Sequence, residues 1–160
     1  MPKKLRVGWF SFSCCEDSTI IFTELLNDHY LEWKDKIEFV SALVLQKRSK
    51  IEDLDVAFVE GAITSKKQEE KLLEIRRESK KLIAIGACAC VGMPSAQRNM
   101  FDEATNKEIE NLLIRFHFAD KVKKLSDVVK VDDQVPGCPM DETVFLQVIN
   151  KYLKEFGVIN

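Results

Sequence analysis

The stretch VGWFSFSCCEDSTIIF, residues 7–22, changes its hydrophobic pattern half-way along. It opens with a short apolar run, which is typical of a buried strand, whereas the apolar residues that follow recur at helical spacing. Between the two parts lie Cys14, Cys15 and two acidic residues. A strand that leads through a short turn into a helix begins a β–α–β unit. The stretch therefore predicts the start of a parallel sheet, with two neighbouring thiols beyond the first strand.

The same alternation of strand and helix recurs along the chain. Continuous apolar strands joined by helices predict a parallel sheet that is covered on both faces. We therefore predict an α/β fold, a flavodoxin-like doubly wound parallel sheet in three layers, formed by a single domain over residues 1–160. Ser18 and either Thr64 or Ser65 are predicted helix N-caps. Strands are predicted over 4–10, 37–46, 55–63 and 82–86, with a short extended piece within 128–141, and helices over 18–33, 64–81, 106–118 and 142–156.

The composition is that of an ordinary globular protein. Of the 160 residues 46% are hydrophobic and 31% are charged, and the formal net charge of −2 gives no reason to expect nucleic acid or an anionic membrane as a partner. No apolar run approaches the roughly 20 residues that span a bilayer. The basic start leads into a short apolar run without a cleavage site, so we interpret it as a strand and predict a cytoplasmic protein. Because stable disulfides are unusual there, the five cysteines indicate packing, metal binding or redox chemistry.

All five cysteines follow predicted strands, and none is expected inside a helix or in the middle of a strand. Cys14 and Cys15 follow the first strand, Cys88 and Cys90 follow the strand over 82–86, and Cys138 follows the last extended piece. The carboxyl ends of parallel strands meet at one edge of a sheet, which is where ligands bind in such folds. A free cysteine is usually a small buried hydrophobic residue. Five of them in turns at one edge instead favour a shared site.

The spacing of the cysteines bears on the kind of metal centre. Structural zinc sites usually contain C-x₂₋₄-C pairs, and this chain has none. Thiols that come from distant loops suit an object larger than one ion, and a [4Fe–4S] cluster needs four cysteines. Cys14 and Cys15 could bind different irons, since successive side chains diverge. One of Cys88 and Cys90, together with Cys138, would complete the set and leave one cysteine spare.

Four motifs resemble those of a known family: SCCED (13–17), VEGAI (59–63), GACACVGMPSAQRN (86–99) and VKVDDQVPGCP (129–139). Together they resemble the small-subunit family of [NiFe] hydrogenases, of the cytosolic single-cluster type, which is homologous to the cluster subunit of NADH:ubiquinone oxidoreductase. The resemblance runs from about residue 5 to residue 156. It implies a flavodoxin-like domain with one proximal [4Fe–4S] cluster, which exchanges electrons with a [NiFe] centre in a separate large subunit.

The resemblance assigns the cluster ligands residue by residue. They fall on Cys15, Cys88 and Cys138, and Cys90 stands at a position that is not a ligand in the family pattern. Hydrogenase small subunits usually carry C-x-x-C in the first motif, which would put the remaining cysteine at position 12, where this chain has Phe12. The adjacent pair instead resembles the tandem cysteines of the complex I subunit. We therefore predict Cys14 as the fourth ligand.

The resemblance also implies partners. A [NiFe] site in this family is built from two C-x-x-C pairs, and this chain has no such pair. Chemistry on H₂ is then expected in a large-subunit partner, in a heterodimer or a larger complex with further iron–sulfur or flavin subunits. No nucleic acid and no membrane span are expected. The short chain after the PGCP motif predicts one cluster only. A flavodoxin-like fold can hold a flavin, but no motif here indicates one.

Two other functions fit the sequence. The tandem cysteines favour a subunit of a complex I-like or membrane energy-converting hydrogenase assembly. A third hypothesis is an α/β binding module with a thiol-based metal or redox-sensing site. Iron and sulfide analysis distinguishes this module from both electron-transfer hypotheses. Because electron transfer to a partner needs an exposed cluster edge, we also expect an apolar interface patch around the cysteine loops.

A few other side chains have a structural and a functional interpretation. Glu16 is favoured as an acidic residue at a helix N-terminus and Glu60 as a hydrogen-bonding residue that orients a loop. The alternative for both is a place at the large-subunit interface, where they would orient loops or assist proton transfer. Arg98 is expected either near the anionic cluster or in a salt bridge. His29 and His117 are predicted in helices, without a metal-ligand role.

Overall fold

A computed structural model describes residues 3–48 and 51–160. The strands are β1 (Leu5–Ser11), β2 (Ile37–Ala42), β3 (Lys47–Arg48), β4 (Leu54–Glu60), β5 (Ser79–Ile85) and β6 (Asp133–Val135). The helices are α1 (Asp17–Asp28), α2 (Tyr30–Trp33), α3 (Lys66–Arg77), α4 (Gly86–Val91), α5 (Glu103–Arg115) and α6 (Glu142–Glu155). Short 3₁₀ turns lie at Leu43–Leu45, Ser95–Met100 and Leu125–Asp127.

The sheet has the order β3-β2-β1-β4-β5-β6. All neighbouring strands are parallel except the short β3, which pairs antiparallel with β2. Without β3, the order is that of a flavodoxin-like sheet, in which the order of successive strands reverses between β1 and β4. The predicted fold class is therefore confirmed.

Two apolar clusters cover the two faces of the sheet and make three layers. On one face, Trp9 of β1 stacks on Phe22 of α1, and Phe145 of α6 packs edge-on against both rings. On the other face, Leu72 and Ile75 of α3 are fully buried against the sheet. Burial of this kind contributes about 1.5–3 kcal/mol for each large side chain. The central strand β4 is buried along its whole length, because helices lie on both sides of it.

Several predicted boundaries differ from the structure. The helix expected over 18–33 begins at Asp17, not after an N-cap at Ser18, and is interrupted at His29, where the chain turns so that Trp33 enters the core. The strand expected over 37–46 ends at Ala42, and Leu43 then points into solvent from a 3₁₀ turn.

The helix predicted over 64–81 has the predicted Ser65 cap but ends at Arg77. The last polar residues of the predicted helix instead begin β5, where charged side chains reach solvent near the start of the strand. Leu72 of this helix is fully buried, whereas the neighbouring Leu73 is 44% exposed. The helix expected over 106–118 is α5, three residues earlier and capped by Asp102. His117 therefore lies just after a helix, and His29 lies between two.

Candidate functional site

Four cysteines line one narrow concavity at the carboxyl edge of the sheet. Cys14 and Cys15 follow β1, Cys88 lies in α4 directly after β5, and Cys138 follows β6. Cys88 is buried, Cys14 is half-buried, and the other two are exposed. We call this feature the cysteine concavity. The structure thus brings together all four residues that the sequence singled out.

The expectation that no cysteine lies in a helix was wrong. Cys88 and Cys90 both belong to α4, a single short helix that starts at Gly86. The small residues of GACACV resemble a turn, but they allow a tight helical segment to pack directly on the sheet. Cys88 therefore reaches the concavity from the first turn of a helix.

Cys90 lies on the other side of α4, away from the concavity. It is 6% exposed, packs in the apolar cluster next to α3, and its thiol donates to the carbonyl oxygens of Ala84 and Val135. Burial raises the pKa of this thiol to about 11. Of the two cysteines that the spacing left open, only Cys88 faces the other three.

The turn that carries Cys14 and Cys15 is fixed from a neighbouring strand. Glu16 occupies the N-cap of α1 in a left-handed conformation, with φ of 64°, and its side chain forms no capping hydrogen bond. The carboxylate of Glu60, at the end of β4, takes over this function: its Oε1 accepts from the Ser18 N–H at 3.1 Å. Glu16 is therefore an N-terminal acidic residue, as expected, but Glu60 provides the cap.

Glu60 is also the end of a buried chain of hydrogen bonds. The Trp9 indole donates to Thr19 Oγ1 at 2.9 Å, and the Thr19 hydroxyl donates to Glu60 Oε2 at 2.6 Å. Glu60 is 3% exposed. The favoured interpretation of Glu60 as a loop-orienting hydrogen-bonding residue is confirmed, and the link runs from the core of the protein to the cysteine turn.

A second contact joins the cysteine turn to the Cys138 loop. The buried hydroxyl of Ser18 accepts the backbone N–H of Met140 at 3.2 Å. In the same loop Gly137 has a φ of +112°, and a Cβ there would lie 2.5 Å from the Pro139 carbonyl oxygen. Only glycine fits this turn without rearrangement.

The thiol of Cys14 is held in its protonated form. Burial raises its pKa from 9.0 to about 12, and the negative charge of Glu60 adds to this, with smaller contributions from Cys88 and Cys15. Binding of a metal centre by Cys14 would have to displace this proton. Within the described residues, no group of three or more His, Cys, Asp or Glu side chains converges closely enough to hold a single metal ion.

Phe12 does not face the cysteine concavity. Its ring packs partly buried with the apolar cluster beside α3, and its backbone carbonyl accepts the Cys14 thiol at 3.8 Å. Phe12 thus packs in a different apolar cluster from Cys14, which packs with Ala62, Cys88 and Val122. The position that carries a cysteine in the usual C-x-x-C motif has become part of the core.

An open apolar cleft of about 840 Å³ extends from the cysteine concavity to α5. Cys14, Cys15 and Cys88 form one wall, and we call this feature the α5 cleft. The side of α5 and the loops that flank it supply the other wall, with Phe101, Leu112, Phe116 and Phe118, each between 41% and 58% exposed. None of the 13 residues of α5 is buried. The expected apolar patch beside the cysteine loops is present.

Sequence reasoning did not identify Ser95. Its hydroxyl lies 3.2 Å from the sulfur of Cys88 and 3.1 Å from the backbone oxygen of Ser13. In the motif PSAQRN the sequence instead indicated Arg98, whose guanidinium donates to the backbone oxygens of Ala119 and Asp120. No sequence signal marks Ser95, because its contact depends on how the turn after α4 folds back.

A family model described as NADH ubiquinone oxidoreductase, 20 Kd subunit, matches residues 14–152. The chain belongs to this family. One subunit of the F420-non-reducing hydrogenase from Methanothermobacter marburgensis is 32% identical over 96% of this chain and 55% of the relative. The delta subunit of the NAD-reducing hydrogenase HoxS from Cupriavidus necator is 26% identical over 92% of this chain and 78% of the relative. The predicted resemblance to hydrogenase small subunits is thereby confirmed.

Solved structures support the fold. A chain in the crystal structure of NAD⁺-reducing [NiFe]-hydrogenase in the H₂-reduced state has a TM-score of 0.80 to this chain, at 23% identity, over 96% of this chain and 93% of that one. The chain spans about half the length of the Methanothermobacter relatives it matches. Within the described part of the chain, no helix is long and apolar enough to cross a membrane.

Proposed function

We propose that this chain is the electron-transfer small subunit of a [NiFe] hydrogenase and holds one [4Fe–4S] cluster through Cys14, Cys15, Cys88 and Cys138. The observation that carries the proposal is the cysteine concavity, which four thiols line from two loops and from the first turn of α4. This donor set fits such a cluster, which is held by four cysteine thiolates. When bound, a cluster of this kind accepts and returns single electrons.

The residues of this chain would hold and orient the site. Glu60 fixes the first turn of α1, so that Cys14 and Cys15 are presented from a rigid loop. Ser18 ties that turn to the loop of Cys138. Because both ties are buried hydrogen bonds, they would limit movement of the thiols when a bound cluster is reduced.

The α5 cleft supports a partner beside the cluster. Its exposed aromatic and aliphatic side chains lie next to three of the four cysteines. Large exposed apolar patches mark interaction sites. We propose that a large subunit that carries the [NiFe] centre covers this cleft and shortens the path for the electron. We also propose a cytoplasmic location, with which the free, buried thiol of Cys90 agrees, since thiols stay reduced there.

The test uses the anaerobically purified complex of this chain with its large subunit. Cys138→Ser is expected to abolish H₂-dependent dye reduction and the cluster signal in electron paramagnetic resonance (EPR) spectra. Cys90→Ala is the matched control, because Cys90 is buried away from the concavity, and it is expected to retain both. An intact cluster signal and full activity in Cys138→Ser would contradict the proposal.

A second candidate is a subunit of a complex I-like or membrane energy-converting hydrogenase assembly. The observation that favours it is the adjacent pair Cys14–Cys15, with Phe12 in the core. The identity of the co-purified partner decides between the two candidates. A partner without two C-x-x-C pairs, or tight association with membrane subunits, would favour the second candidate.

A further inference from the structure

Ser95 contacts one of the proposed cluster ligands from outside the concavity. It begins the 3₁₀ turn after α4, is half-buried, and lines the α5 cleft. Its Oγ is 3.2 Å from Cys88 Sγ and 3.1 Å from the carbonyl oxygen of Ser13. Among the hydrogen bonds of the described residues, the contact of Ser95 with Cys88 is the single one from a side-chain hydroxyl to a cysteine sulfur.

The hydroxyl of Ser95 has one proton and two acceptors within reach. The carbonyl of Ser13 does not depend on it, since this oxygen also accepts the Ala62 N–H at 3.0 Å. A hydrogen bond to a charged acceptor is roughly twice as strong as one between neutral groups. When Cys88 is a thiolate ligand, the proton of Ser95 is therefore directed to the sulfur.

We propose that Ser95 is a positioning residue that raises the reduction potential of the cluster through its hydrogen bond to Cys88. This inference rests on the proposed function. Hydrogen bonds to the ligand sulfurs are among the factors that set the potential of iron–sulfur clusters. The reduced state carries more negative charge on its sulfurs, so the hydroxyl dipole stabilises it more than the oxidised state.

The position of Ser95 gives this contact a second consequence. Ser95 lies on the wall of the α5 cleft, between Cys88 and the surface that we propose for the large subunit. Cys88 would therefore receive this hydrogen bond from the side of the site that faces the proposed partner. Loss of the hydroxyl is expected to lower the reduction potential of a bound cluster without removal of a ligand.

The test is a redox titration of the anaerobically purified protein with its cluster, followed by EPR. Ser95→Ala is expected to shift the midpoint potential to a more negative value at unchanged iron content, and Ser95→Thr, which keeps the hydroxyl, is expected to restore it towards wild type. Ser13→Ala is the matched control: its hydroxyl lines the same cleft but bonds to Thr64 and Gln68, not to a sulfur.

Two outcomes would overturn the inference. One is a Ser95→Ala protein with full iron content and the wild-type potential. If that variant fails to assemble the cluster, the nearly isosteric pair Ser95→Thr and Ser95→Val replaces it, and equal potentials in this pair would overturn the inference. A wild-type protein without iron and sulfide would instead contradict the proposed function, so the two failures are distinguishable.

Discussion

At the scale of single residues, Glu60 links the core to the cysteine turn. Its carboxylate accepts hydrogen bonds from the Ser18 N–H and from the Thr19 hydroxyl, and Thr19 in turn accepts from the Trp9 indole. Glu60→Gln replaces one acceptor by a donor and leaves a buried group without a partner. The expected loss in the free energy of unfolding is about 1–3 kcal/mol, measured by urea denaturation.

Glu16→Gln is the control for this variant. Glu16 is exposed and its side chain does not cap α1, so its replacement is expected to change stability by less than about 0.5 kcal/mol. Equal stability of the two variants would show that Glu60 does not support the turn.

The four cysteines of the concavity could be predicted from the sequence because strand-end positions in a parallel sheet share one edge. The choice of Cys88 over Cys90 could not be made from spacing alone, because it depends on which side of α4 faces the sheet. The hydrogen bond from Ser95 to Cys88 and the helix cap from Glu60 could not be predicted from the sequence either. Both contacts join segments whose approach depends on the fold, and their geometry has no local sequence signal.

At the scale of elements, the ion pair between Arg76 and Asp132 holds the short strand β6 beside β5. Asp132 Oδ2 accepts from Arg76 at 2.6 Å and from the Leu82 N–H at 2.9 Å. Burial alone would raise the pKa of Asp132, but these hydrogen bonds outweigh burial and hold the pKa below its ordinary value of 3.8. The position of β6 determines where the Cys138 loop begins.

Asp132→Asn is expected to lower the free energy of unfolding by about 1–3 kcal/mol at neutral pH. Because the pKa of Asp132 is lower in the folded state, its contribution is complete above the ordinary pKa and is lost as the pH falls through the folded value. The difference between wild type and variant, measured by urea denaturation at several pH values, should therefore shrink in acid. A difference that grows in acid would contradict this account.

The alternation of strands and helices was predictable because strands buried on both faces are continuous apolar runs. The interruption of the first helix at His29 was not, since the periodicity of the sequence continues through it. Burial of Trp33 determines the turn there. Helix α4 was not predicted either, because a six-residue helix of small residues has too little pattern to separate it from a turn.

At the scale of the whole molecule, the α5 cleft is the proposed contact with the large subunit. Leu112 lines this cleft and is 51% exposed, so Leu112→Glu removes no core packing. The variant is expected to bind the large subunit roughly tenfold more weakly, as is common when an apolar side chain is lost from an interface. The unfolding of the isolated chain should be nearly unchanged.

Ile114→Glu is the matched control for the cleft. It lies on the same helix, is 66% exposed and does not line the cleft. The binding of the Ile114→Glu variant to the large subunit, measured by the same titration, should equal that of wild type. If both variants bind the large subunit equally weakly, the α5 cleft is not the specific contact. The loss of binding then comes from another part of α5 or from the added negative charge alone.

Four cysteines of this chain are proposed to hold one cluster, and its composition can be measured. The most direct measurement is the iron and acid-labile sulfide content of anaerobically purified wild type, of the four variants Cys14→Ser, Cys15→Ser, Cys88→Ser and Cys138→Ser, and of Cys90→Ala. We expect about four iron and four sulfide per chain in wild type and Cys90→Ala, and a marked loss in the four serine variants. Zinc or no metal in wild type, or full iron and sulfide in all four serine variants, would contradict this proposal.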